Sequence, residues 1–314
     1  MAEAAVRGFL DAAGWGAARC EALAGDASGR RYLRLFRGAD RAVLMIARPE
    51  EVRPFLHIGA HLAELGLSSP AVLAEDAAAG LVLLEDLGDA LFSRCRWPAR
   101  AYLAAADVLA RLHYAPLPAG TVAWAGSVPG DQAALAAEAY AGRPAAGAEL
   151  AAAVSEACAR LAGPARVLML RDFHADNLIW LDGRIGPARV GLLDFQDAMA
   201  GPAGYDLVSL LADARRDVDP RLVARVRARY LAATGQDAAT FAPAAAAIGA
   251  ARHLRILGVF ARLALQGRRG YLPHLGRVWR QLHADLAHPE LAGLRAVVDR
   301  HLPAPDALRA ELRA

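Results

Sequence analysis

Residues 167–213 read VLMLRDFHADNLIWLDGRIGPARVGLLDFQDAMAGPAGYDLVSLLAD. Asp172 is followed five residues later by Asn177, and a short apolar run, Val190 to Leu193, leads directly into Asp194. Apolar stretches this short, bounded by Gly, Pro and Asp, predict buried strands. The spacing therefore predicts two strands that deliver an Asp, an Asn and a second Asp to one place.

That set of side chains suits phosphoryl transfer, which asks the protein mainly for positioning and charge stabilisation. One carboxylate, Asp172, orients an attacking hydroxyl and accepts its proton. An amide oxygen and a second carboxylate, Asn177 and Asp194, suit Mg2+, a hard cation that keeps few protein ligands. A D-x-x-x-x-N loop followed by a strand and an L-L-D-F turn matches the spacing used for these roles in protein kinases. The spacing D-x-x-x-x-N alone is common; the strand, the turn and L-L-D-F around it are what give it weight.

Composition sets bounds on the rest. At 314 residues the chain holds one large or two modest domains, with apolar residues at 56% and much of that alanine. The formal net charge of +3 implies no nucleic-acid partner. Every basic side chain other than His is Arg, and there is no lysine. A Walker P-loop is excluded for want of its Lys, and so is a strand lysine of the V-A-I-K type. Cys20, Cys95 and Cys158 form no C-x-x-C pair, which fits a reduced, cytoplasmic protein. Glu3, Arg7 and Asp11 interrupt the N-terminal stretch, so it reads as an amphipathic helix rather than a signal peptide. No apolar run is expected to span a membrane, Ala242 to Ala251 being too short.

Taken in order, strands are predicted at 19–23, 31–36 and 42–46, with the turn GDASG between the first two. Ser28, Arg30 and Arg31 of that hairpin are candidates to reach phosphate oxygens. A helix follows over 52–65, whose His57 and His61 lack a third ligand and read as solvated helix histidines. Strands over 71–74 and 80–85 come next. The acidic stretch Glu85-Asp86-Leu87-Gly88-Asp89 then separates a strand-rich region from a helical one. The reading is an N-terminal lobe over 1–86, a connector over 87–97 and a helical C-terminal lobe over 98–314. Helices are predicted at 98–113, 131–140, 148–161, 205–213, 220–233, 242–266, 272–286 and 289–301. Asp206 either caps its own helix or holds the backbone of the Asp172 loop.

The segments GDASGRRYLRLF (25–36), VLMIARP (43–49), LVLLEDLGD (81–89), LRDFHADNLIWL (170–181), VGLLDFQDAMAGPAGYDLVSLLADARRDV (190–218) and HLRILGVFARLALQGRRGYLPHLGRVWRQL (253–282) carry a resemblance. Together they resemble the aminoglycoside-phosphotransferase-like branch of the protein-kinase fold. More closely, they are similar to bacterial cell-wall-recycling kinases that phosphorylate N-acetylmuramate and N-acetylglucosamine at the anomeric position. The resemblance implies an α+β, two-lobed fold with a small antiparallel N-lobe sheet and a larger helical C-lobe. It implies ATP as donor, Mg2+ as cofactor, an amino sugar as acceptor and a role in peptidoglycan recycling. A cytoplasmic monomer with no nucleic-acid or membrane partner is expected. It supports Asp172 as base, Asn177 and Asp194 on Mg2+, and Asp206 as support of the catalytic loop. The connector from Glu85 to Leu87 would meet adenine, and His174, Asp197 and Arg262 are the sugar-contact candidates.

Two departures from the family pattern stand out: Leu170 occupies the position two before Asp172 where His is common, and Met45 lies near the strand-lysine position. The alternatives are an aminoglycoside or other hydroxyl kinase and a non-catalytic ATP-binding module. Arg252, Arg255, Arg262, Arg268, Arg269, Arg277 and Arg280 speak against a polycationic substrate. The intact Asp172, Asn177 and Asp194 speak against the non-catalytic module.

Overall fold

The computed structural model describes residues 3–23, 29–308 and 310–312. In chain order the elements begin with α1 (Glu3–Ala12), β1 (Arg19–Ala22), β2 (Arg31–Arg37), β3 (Asp40–Ile46) and α2 (Pro49–Glu64). They continue with β4 (Val72–Asp76), β5 (Leu81–Glu85), α3 (Pro98–Tyr114), α4 (Val128–Leu135) and α5 (Gly147–Leu161). Next are β6 (Val167–Met169), β7 (Leu178–Trp180), β8 (Val190–Leu192), β9 (Met199–Gly201) and α6 (Tyr205–Leu211). The chain closes with α7 (Pro220–Thr234), α8 (Ala238–Leu265), α9 (Leu275–Leu286) and α10 (Ala292–His301).

Two compact units result. The first comprises the chain up to Arg111 together with Ala175–Ala198; the second comprises Leu112–His174 and the chain from Met199 onward. These are not the two contiguous stretches expected on either side of 87–97. Backbone hydrogen bonding explains the difference. The β7–β8 hairpin returns to the first unit, where Trp180 N donates to Ala90 O and Leu192 N to Ser68 O, both at 2.8 Å.

The first unit is built on one antiparallel sheet in the order β1-β2-β3-β5-β4. Its central strands are near-continuous apolar runs, with Leu44, Met45, Leu81 and Val82 fully buried. Such runs mark strands covered on both faces, whereas β1 and β4 alternate poorly and lie at the edges. The β2–β3 register pairs Arg37 with Asp40 across a two-residue turn. Gly38 takes φ 60° there, the left-handed conformation that a tight hairpin demands. Leu10 of α1 and Trp15 pack with Leu35, Leu44 and Leu83 under the sheet.

The second unit is helical around a core that runs from Trp124 to Leu312. Its strands are the short pair β6–β9. Strand β9 is absent from the reading above: three residues, Met-Ala-Gly, are too few to show a period. The long α8 exceeds the apolar run expected over 242–251. At 28 residues it is long and apolar enough to cross a bilayer, but 72% of its most apolar window is buried within the protein. Its apolarity is spent on packing against α4, α5 and α9.

Gly258 allows the close approach of α8 to α4. A Cβ placed there would stand 2.5 Å from the carbonyl carbon of Leu135 and 2.7 Å from Ala136 N, and backbone does not yield as a side chain does. Gly258→Ala is therefore expected to lower the unfolding free energy by about 1–3 kcal/mol. Urea midpoints at constant m value check this. Gly8→Ala in α1, where an added Cβ meets nothing within 4 Å, is the matched control and gains or holds stability.

Candidate active site

Within the first unit, β7 and β8 carry Asn177 and Asp194 at neighbouring ends: Leu193 N donates to Asn177 O at 3.0 Å. Asp194 adopts φ 57°, an uncommon conformation for a residue with a Cβ. The next side chain fixes it. Phe195 is fully buried and stacks on Phe55 of α2, centroids 5.0 Å apart. The apolar ring is an anchor, and the carboxylate one residue before it is turned out.

Asn177 and Asp194 both line a cavity of about 260 Å³. Tyr32, Val43, Leu84, Ile179 and Leu193 supply apolar walls, and the stretch from Glu85 to Gly88 supplies one border. A largely apolar cavity whose lining includes Asp194 and Asn177 suits a flat heteroaromatic group carrying a charged tail. The expected connector residues Glu85 and Leu87 both lie on it. Their backbone is held by charge: Arg34 of β2 meets Asp86 and Asp89, each at 2.8 Å. The Asp86 side chain is 4% exposed, so this ion pair is a built part of the wall rather than a solvated surface contact. Glu85 pairs with Arg184.

The phosphate-reaching candidates separate. Ser28 lies outside the described residues. Arg31 is exposed at the start of β2. Arg30 turns inward, with 6% side-chain exposure and its Nη2 2.6 Å from Asp194 Oδ1. Gln196 Nε2 donates to the same oxygen at 2.9 Å.

Asp172 and His174 belong to the second unit. The loop that carries them follows β6, and its backbone is held by Asp206 at the start of α6. The Asp206 carboxylate accepts Leu170 N at 2.6 Å and Arg171 N at 2.9 Å. Of the two sequence alternatives for Asp206, the structure has the loop contact. Burial pushes its carboxyl up to about 7, against the two amide hydrogen bonds that favour the charged form. Arg171, the residue so held, has φ 69°. Leu170, at the position where the resemblance implies a His, is a buried apolar side chain.

His174 is buried, and Arg215 Nη1 lies 3.3 Å from its Nε2. A guanidinium only donates, so Nε2 must carry the lone pair and the ring proton sits on Nδ1. Burial, then the Arg215 charge, pulls the imidazole down to about 4; Asp213 and Asp172 oppose this, and Arg252 adds to it. Arg215 is itself positioned: Asp213 Oδ1 accepts its backbone N at 2.8 Å, and its guanidinium lies 5.8 Å from the Phe260 ring centroid. Arg252, also buried, donates to Ala212 O at 3.0 Å.

Of the three sugar-contact candidates, only His174 falls among this buried charge. Asp197 is exposed beside Gln196 in the first unit, and Arg262 is exposed on α8 in the second. Sequence reasoning missed Arg215, Asp213 and Arg252. The D-A-R-R run after α6 was the available signal, but spacing does not say which of its two half-buried arginines meets the His174 ring.

A model of the phosphotransferase enzyme family matches residues 19–248. This chain belongs to that family. A phosphotransferase relative in Caulobacter vibrioides, named an N-acetylmuramate/N-acetylglucosamine kinase, is 38% identical over 96% of this chain and 97% of its own length. A second of the same name, from Pseudomonas aeruginosa, is 31% identical over 90% of this chain and 89% of its own. Among solved structures, a choline/ethanolamine kinase family protein from Mesorhizobium loti superposes with a TM-score of 0.63 at 18% identity, covering 96% of this chain and all of that one. That likeness bears on the fold alone, and it agrees with the α+β, kinase-like architecture.

The buried imidazole of this phosphotransferase gives a pH expectation. Its pKa in the folded protein lies below the ordinary 6.5, so acid protonates the unfolded chain first. The stability contributed by His174 is therefore complete above 6.5 and lost as pH falls toward 4. Imidazole NMR should find His174 neutral at pH 6 to 8 and titrating near 4, and the stability margin over His174→Gln should shrink on acidification. A ring titrating near its ordinary value would contradict this.

Proposed function

We propose that this phosphotransferase transfers the γ-phosphoryl group of ATP to the anomeric hydroxyl of N-acetylmuramate and N-acetylglucosamine, in peptidoglycan recycling. The observation that carries the reading is the near full-length relationship to proteins named for that activity, in a chain that keeps Asp172, Asn177 and Asp194. Asp172 is the proposed base. It takes the hydroxyl proton as the sugar oxygen attacks phosphorus and the bond from phosphorus to the ADP oxygen breaks. An anomeric hydroxyl is more acidic than an ordinary alcohol, which lightens the demand on the base.

Asn177 and Asp194 are the proposed Mg2+ ligands. Two hard oxygen donors on one cavity fit an ion that keeps most of its shell for water and phosphate. The ion would neutralise charge on the phosphates. The backbone from Glu85 to Leu87 would meet adenine. Asp206 is the proposed brace of the Asp172 loop.

On the sugar side we assign His174 and Arg215. The Arg215 guanidinium, its backbone held by Asp213 and its head beside the Phe260 ring, suits the lactyl carboxylate of N-acetylmuramate, with planar, two-pronged hydrogen bonding. Arg262 and Asp197 remain proposed outer contacts. Cytoplasmic location fits this reading, because the nucleotide donor is there.

Three outcomes are expected. With Mg2+ and ATP, a sugar panel read by phosphorus NMR places the new ester at C1; an ester elsewhere on the ring overturns the anomeric assignment. Asp172→Asn lowers turnover by about 10²–10⁴-fold, and undiminished turnover removes Asp172 from the chemistry. Arg215→Gln lowers kcat/KM for N-acetylmuramate about tenfold or more while N-acetylglucosamine changes little, as loss of one charge-assisted pair requires. Equal losses on both sugars would remove the carboxylate role.

A further inference from the structure

Phosphoryl transfer from a triphosphate needs a cation on the phosphates besides the metal, and in protein kinases a lysine on the third strand supplies it, paired with a glutamate of the following helix. This chain has no lysine. The strand position is Met45, which is fully buried and faces Tyr32 across the β2–β3 register. A long apolar thioether at that position contributes packing and no charge.

The neighbouring strand supplies the charge instead. Arg30 immediately precedes β2, two residues before the partner of Met45. Its side chain is 6% exposed and reaches across 164 residues of sequence to Asp194 at 2.6 Å. A guanidinium so deeply buried loses its hydration, and the Asp194 carboxylate offsets that loss here. The following helix carries an acid at its first turn as well. Glu51 of α2 is held below the usual carboxylate range chiefly by its hydrogen bond from Arg48, and the Arg30 charge adds to the effect. Arg30 thus puts a cation beside the candidate metal carboxylate, the charge that a strand lysine would otherwise bring to the phosphates. Its neighbour Arg31, one residue on, points to solvent.

We propose that Arg30 is the phosphate clamp of this enzyme, and that in the nucleotide-free protein it also occupies Asp194, so that metal and triphosphate bind as one package. This rests on the kinase reading. Asp194 in the resting protein is neutralised by a guanidinium, so a divalent cation arriving alone must compete for the carboxylate. When a triphosphate enters, its oxygens offer Arg30 a second anionic partner of matching planar geometry, and Asp194 is released toward the metal. The exchange conserves charge pairing at each stage, so no buried guanidinium or carboxylate is left alone.

The consequence is a pair of effects with opposite signs. Removing the Arg30 charge opens Asp194 and strengthens binding of a divalent cation alone. It also removes the clamp and weakens binding of nucleotide without metal. A merely structural lesion would weaken both.

The test uses the full chain with Mn2+ alone, followed by electron paramagnetic resonance of the free ion, and ADP in chelator, followed by calorimetry. Arg30→Gln is expected to raise Mn2+ affinity several-fold, on the order of fivefold, and to lower metal-free ADP affinity about tenfold. If the Gln variant does not fold, Arg30→Lys keeps the charge on a shorter, non-planar head. It should give the same two signs at about two- to threefold each. Loss of both affinities together, or metal-free ADP affinity unchanged in both variants, overturns the proposal. Neither readout needs a sugar. A chain showing both signs yet phosphorylating no sugar refutes the substrate reading and leaves the clamp. Sugar turnover with wild-type-like ADP binding in Arg30→Gln does the reverse.

Discussion

A carboxylate buried against two backbone amides fixes the turn that leads into Asp172. Asp206 accepts the N–H groups of Leu170 and Arg171, and Arg171 sits at φ 69°, where a side chain with a Cβ is strained. Such strain costs on the order of 1–3 kcal/mol and persists only where the surroundings over-determine it. Two charge-assisted hydrogen bonds inside a helical core offset it. Asp172, the next residue, inherits its position from that turn. The same logic recurs in the first unit, where Asp194 at φ 57° is fixed by the stacked, fully buried Phe195. Among the described residues other than glycine, these are the two with positive φ, and each lies on or beside a proposed catalytic group.

A chain without lysine meets its electrostatic needs with guanidinium groups, and several are directed by a specific acid. Arg34 braces the connector through Asp86, Arg30 meets Asp194, and Asp213 holds Arg215 by its backbone and Arg216 by its side chain. Arginine cannot discharge itself when buried, as lysine can, so its N–H groups must find an acid or a carbonyl wherever it is enclosed. His174 complements these arginines by staying neutral, pulled down to about 4 by burial and by the Arg215 charge, which lets it share an enclosed space with cations.

Much of the architecture was legible from local pattern. The sheet strands follow from short apolar runs bounded by turn residues, the longer helices from period-3.6 spacing, and the Asp172, Asn177 and Asp194 spacing was visible as a motif. Segments of three residues, such as β9, carry no period and were not. The apolar run of α8 was underestimated because Arg252 and Arg255 interrupt it, yet Arg252 is buried and satisfied by a carbonyl of Ala212. Sequence pattern treats each charge as solvated; the fold can enclose one if it provides a partner.

What the sequence by itself determined is the inventory: a base, an amide and a carboxylate at kinase-like spacing, an acid on the helix after them, and no lysine anywhere. Only the tertiary structure decided which arginine of the Arg30-Arg31 pair turns inward, that Asp206 braces the loop rather than capping its own helix, and that the β7–β8 hairpin packs with the strand-rich unit. Each of these outcomes depends on partners distant in the chain, at Asp194, at Leu170 and at Ser68. Local spacing specifies which side chains share a face, but an enclosed charge or an unpaired backbone group takes its place from whatever the rest of the fold brings within hydrogen-bonding distance.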